Sequence, residues 1–197
     1  MTGILILIVF LVLMVLVNII YKKNYYDVSY QQSEFNNNFY LVKNTVDKQA
    51  AANLLSELSD KILTLNKYMY ENKDTDNFKD MKQYIIKLNK KIKKTIICEN
   101  TDNEKYTSYT INKGEKIAFC LRSKNYPYKF HDINLITYVA LHEISHIACP
   151  EIGHTELFKE IFAFITQTAI NLGLYKYEDF KTMPKEYCGI NVNDSII

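Results

Sequence analysis

Residues 138–165 read YVALHEISHIACPEIGHTELFKEIFAFI, and the fold turns on how this stretch divides. Its first four positions, Tyr138-Val139-Ala140-Leu141, are an apolar run, and the pentapeptide His142-Glu143-Ile144-Ser145-His146 follows them. On an α-helix four residues advance a side chain by about 400°, so the two imidazoles lie one turn apart on nearly one face. Such a pair can hold a tetrahedral metal ion through nitrogens at about 2.0 to 2.1 Å. Glu143 sits beside the pair rather than between its members, where a carboxylate can serve as general base without occupying the metal. Cys149-Pro150 and Gly153 then reverse the chain, and His154 follows.

The chain has four histidines, and His142, His146 and His154 fall within thirteen residues. His154 is the expected third ligand, with Glu160 and the thiolate of Cys149 as the competing choices. It stands eight residues after His146, against six in the metzincin spacing H-E-x-x-H-x-x-G-x-x-H, so that pattern does not apply.

Outward from this stretch, residues 155–172 place Leu157, Phe158, Ile161, Phe164 and Ile165 on one helical face, and Gly173 is the expected stop. Upstream, residues 106–111 and 116–122 are β-branched and aromatic runs around Asn112-Lys113-Gly114-Glu115, which predicts a β-hairpin. Residues 47–71 carry Ala51, Leu54, Leu58, Ile62, Leu65 and Met69 at spacings of three and four, and Met81, Tyr84, Ile85, Leu88 and Ile92 repeat the pattern. Helices, a small antiparallel sheet, the H-E-x-x-H helix and a C-terminal helix together give an α+β domain over residues 41–197. On its second helix Lys82, Lys87, Lys90, Lys91, Lys93 and Lys94 form an outer face, read as solvated or as a face for anionic lipid or polynucleotide.

Residues 3–21 contain no charge, and nineteen helical residues span roughly 28 Å, which predicts a single transmembrane helix. Lys22 and Lys23 follow it, placing the domain on the cytosolic side. Residues 22–40, polar and aromatic without periodicity, read as a linker.

Lys+Arg 24 against Asp+Glu 22 leaves +2, so no global field points to nucleic acid. Only Arg122 among the basic residues is arginine, which leaves few bidentate forks for phosphate or guanine and disfavours sequence-specific DNA reading. Cys98, Cys120, Cys149 and Cys188 form no C-x-x-C pair, and free thiols are expected.

The stretch 138–165 resembles the small WLM and SprT-like zincins, in which a third histidine, followed three or four residues later by an aromatic, completes the site. Here these are His154 and Phe158. A longer similarity runs from YLVKNTVDKQAA through YTSYTINKGEKIAFCLRSKN to EYCGI and covers about the last 160 residues. Over that length the chain resembles little-characterised metallopeptidases of large DNA viruses and some algae. The resemblance implies a zincin fold, a zinc ion and hydrolysis of a polypeptide. WLM proteins are linked to DNA–protein crosslink repair and ubiquitin-like modifiers, a setting from which the apolar N-terminus departs.

The expectation is thus a membrane-anchored zinc peptidase with Glu143 as general base and His142, His146 and His154 as ligands. Its alternative is a non-catalytic membrane or virion protein with a structural zinc site. Lys116 to Arg122 is the candidate edge strand for extended substrate, though an ordinary paired strand fits equally. Tyr187 and His131 are candidate oxyanion donors, and Met183 either floors the site or packs in the core.

Overall fold

The computed structural model describes residues 2–25, 28–100, 107–125 and 129–197, and within the first helix the side chains of Gly3 and residues 6–18. The apolar run forms that helix, α1 (Thr2–Tyr25). The expected transmembrane anchor is nevertheless corrected: among the described residues no helix is long and apolar enough to cross a membrane. The single-pass location and the cytosolic placement read from Lys22 and Lys23 fall with it.

Where a linker was expected, β1 (Val28–Gln32) pairs antiparallel with β2 (Phe39–Lys43), Tyr30 opposite Leu41. Polar side chains fasten this hairpin to α2 (Lys48–Asn72). The Asn53 Oδ1 accepts from Ser33 Oγ at 3.2 Å and from the Glu34 N–H at 3.0 Å, and the Gln49 side chain donates to Gln32 O at 2.9 Å.

The α2 helix buries Ala51, Leu55, Leu58, Ile62, Leu65 and Met69, with Leu55 taking the place expected of Leu54. A short 3₁₀ turn, Lys79–Met81, leads into α3 (Lys82–Ile92), which buries Ile85, Leu88 and Ile92. The sheet that follows is mixed rather than antiparallel. Its central strand β5 (Lys116–Phe119) runs parallel to β3 (Ile96–Glu99) and antiparallel to β4 (Tyr109–Ile111), so β4 is an edge and β5 is not. In the turn between β4 and β5, Gly114 has φ +106, and a Cβ there would stand 3.0 Å from the Ile147 side chain. The turn is thereby pressed onto α4 (Ile133–Ala148).

Asp132 caps α4 by accepting the Asn134 N–H, and Thr155 caps α5 (Glu156–Asn171) by accepting that of Phe158. The α4 helix runs through the middle of the core, with Ile136, Ala140, Ile144 and Ile147 all fully buried. Gly173, at φ +68, closes α5 as expected. A last hairpin pairs β6 (Lys185–Tyr187) with β7 (Ile190–Val192). Its turn carries Cys188, which is disulfide-bonded to Cys120, their Cα atoms 6.3 Å apart. The expectation of free thiols is corrected for this pair, because 68 residues of chain fold back to bring the end of β5 against the β6–β7 turn. Cys98 and Cys149 are buried thiols that are not joined in a disulfide.

Candidate metal centre

One turn of α4 separates His142 from His146, and their Nε2 atoms stand 3.1 Å apart. The loop after Cys149 brings His154 back over them. Gly153, at φ +86, supplies the left-handed residue that this reversal needs, and His154 Nε2 lies 3.1 Å from His142 Nε2. All three donor atoms fall within 4.8 Å of one another. Two lysines hold the reversal in place. Lys87 Nζ donates to the Cys149 carbonyl at 2.7 Å, and Lys113 Nζ donates to the same oxygen at 3.1 Å and to the Glu151 carbonyl. Cations at a helix C-terminus also oppose its dipole.

Behind the imidazoles Phe158, 2% exposed, stacks on His146 at 4.2 Å between centroids and meets the rings of His154 and His142 edge-on at 5.0 and 5.1 Å. Burial, then the neighbouring histidines, pushes His142 down to about 3. Burial, then His154 and Lys113, pushes His146 down to about 4. Both rings are therefore neutral near pH 7, with lone pairs free to bind a cation.

Glu143 reaches across to β4. Its Oε2 accepts a hydrogen bond from Thr110 Oγ1 at 2.7 Å. Burial pushes this carboxyl up to about 7, against the opposing effect of the Thr110 hydrogen bond. Neither competing ligand joins the cluster: Glu160 is exposed on α5, and the buried Cys149 lies outside the group of converging donors.

These residues sit in a chain 43% identical to the uncharacterized protein R325 of Acanthamoeba polyphaga mimivirus over 176 residues, covering 89% of this chain and 88% of that protein. The chain belongs to the R325 family. Uncharacterized protein 136R of Invertebrate iridescent virus 6 is 38% identical over 48% of this chain and 52% of its own length. Uncharacterized protein 042R of Invertebrate iridescent virus 3 is 39% identical over 44% and 52%. No family model matches the chain, and no solved structure matches it.

Several expected roles fall elsewhere in this R325-family chain. Tyr187 is buried, its hydroxyl 2.6 Å from Ser108 Oγ, and burial with the nearby Glu143 charge pushes its pKa up. His131 Nε2 accepts the Cys188 N–H at 3.1 Å. Met183 is 68% exposed and neither floors the site nor packs in the core. On the lysine face, Lys87 and Lys91 are committed to carbonyls of Cys149 and Lys113. Thr110 was invisible to sequence reasoning, since a threonine in a strand carries no signal of what lies across from it.

Proposed function

We propose that the protein is a zinc-dependent peptidase. The observation that supports this reading is the convergence of three imidazole nitrogens beside a buried glutamate that is not one of them. A set of nitrogen donors suits zinc better than magnesium or calcium, which take oxygen ligands. His142, His146 and His154 would hold the ion, which when bound supplies Lewis acidity toward a water and a scissile carbonyl.

The chain's own groups account for the rest. Glu143 takes the proton from the attacking water and passes it to the departing amine, a task suited to a carboxyl with a pKa near the working pH. Thr110 holds Oε2 so that the other carboxylate oxygen is free to accept that proton. Phe158 and Phe162 close the back of the imidazole cluster to water. Strand β4 is the sheet edge that carries Thr110, so an extended polypeptide pairing with it would lie across Glu143.

The test compares the full chain with Glu143→Gln by zinc content and by cleavage of a peptide library near neutral pH. Both proteins should carry zinc, and the variant should lose 10²- to 10⁴-fold in turnover, about 3 to 5 kcal/mol of barrier. Zinc-loaded wild-type protein that cleaves no member of the library, or cleaves it no faster than the variant, would leave a structural zinc site as the better reading.

A further inference from the structure

A second set of metal-ligating side chains lies outside the histidine cluster. Cys120 follows β5, His131 precedes the cap of α4, and Cys188 occupies the β6–β7 turn, so three distant segments deliver one donor each. Their donor atoms lie within 4.8 Å of one another, and all three side chains are buried. We propose that, when the Cys120–Cys188 disulfide is reduced, Cys120, Cys188 and His131 bind one thiophilic divalent cation of the zinc class.

The geometry and chemistry suit that ligand. Nitrogen and sulfur bound tetrahedrally at about 2.05 and 2.3 Å stand roughly 3.6 Å apart. His131 Nε2 and Cys188 Sγ are 3.5 Å apart. The imidazole is already oriented. Nε2 accepts the Cys188 N–H, so it is the unprotonated ring nitrogen, and it lies beside the Cys188 sulfur. The Arg122 carbonyl oxygen, 3.3 Å from Cys120 Sγ and 3.2 Å from Cys188 Sγ, is a further donor at the same spot. Binding requires Nε2 to exchange the Cys188 N–H for the cation.

The redox step balances with a dithiol as reductant. It delivers two electrons and two protons to the S–S bond and closes to its own disulfide. The two resulting thiols then release their protons to solvent as the cation binds, leaving thiolate ligands. The β6–β7 hairpin is thereby tied to β5 in both oxidising and reducing surroundings.

The test uses the full chain, oxidised or reduced by a phosphine and then cleared of it, titrated with Co²⁺ without oxygen. Reduced protein should take up one equivalent more than oxidised protein and show intense near-ultraviolet thiolate-to-cobalt absorption. That band should survive His142→Ala/His146→Ala, which removes the first site, so failure of the peptidase reading and failure of this one are separable. It should vanish in Cys120→Ser/Cys188→Ser. Should that variant not fold, His131→Gln keeps the disulfide in the oxidised state and should weaken Co²⁺ binding by the reduced protein more than about tenfold. Equal uptake in the two redox states, absence of the band in the reduced protein, or unchanged affinity in His131→Gln overturns the proposal.

Discussion

Around Arg122 the buried polar groups complete one another. The guanidinium donates to both Asp47 oxygens at 2.9 and 3.2 Å, to Glu99 and to Thr45, and lies 4.5 Å from the Phe130 ring centroid. Glu99, 2% exposed, also accepts the Lys43 N–H at 2.7 Å. Around His142 the arrangement is the reverse, because three Nε2 atoms face each other and Glu143 is held to one side by Thr110. Both clusters are costly to bury. The first repays the cost within the chain, whereas the second has convergent lone pairs that only a cation or protons can satisfy. Scaffold and site are thus distinguished by whether the polar account closes without a ligand.

Removing ligands should have the largest effect on this contrast. Zinc bound by protein ligands alone contributes about 10 to 16 kcal/mol in small zinc domains, so His142→Ala/His146→Ala should remove most of the binding free energy. Metal analysis should find the first site empty in this variant, and added zinc should raise the melting temperature of oxidised wild-type protein but not of the variant.

The closed cluster should respond in stability instead. Arg122→Ala leaves Glu99 as an unpaired buried charge, and breaking such a pair typically costs about 3 to 5 kcal/mol. Urea unfolding should report that loss, while zinc per folded chain stays at the wild-type level. Loss of zinc from the folded variant would mean that the two clusters are not independent.

Titration of Glu143 sharpens the comparison further. In metal-free protein its carboxyl goes from an unfolded value of 4.5 to about 7 on folding. The protonated form is favoured in the fold, so the cost of ionising it is absent below pH 4.5, grows between 4.5 and 7, and is complete above 7. Glu143→Gln should therefore stabilise chelated protein at pH 8 by up to about 3 kcal/mol and have little effect at pH 4. Acid charging of His142 and His146 destabilises both proteins alike and cancels in the difference.

The two regions also differed in how far the sequence revealed them. His142, His146 and His154 could be read together because a helical repeat and a short reversal keep them within thirteen residues. Arg122, Asp47 and Glu99 could not, since they meet through separations of 75 and 23 residues. The same applies to Cys120 with Cys188, and to β3, whose parallel partner β5 is reached only after a long connection. The β1–β2 hairpin was missed because Asn53 and Gln49 of α2 hold it by hydrogen bonds, while its strands lack clean alternation of apolar and polar residues. For α1, charge-free length alone predicts an anchor, whereas among the described residues no helix is long and apolar enough to cross a membrane.

The smallest effect is expected at Thr110, where the site touches the sheet. Thr110→Val keeps the β-branched shape that suits a strand and removes only the hydroxyl. A hydrogen bond to a charged group contributes about 1.5 to 3 kcal/mol, and Glu143 is ionised for only part of the time near pH 7, so a loss of about 1 to 2 kcal/mol is expected. That corresponds to roughly 5- to 30-fold in kcat. Because Thr110 acts through Glu143, KM and zinc content should not change, and Thr110→Ser should restore most of the rate by returning the hydroxyl. A rise in KM at constant kcat would instead assign Thr110 to the edge on which substrate pairs, and the carboxylate of Glu143 would then owe its orientation to α4 alone.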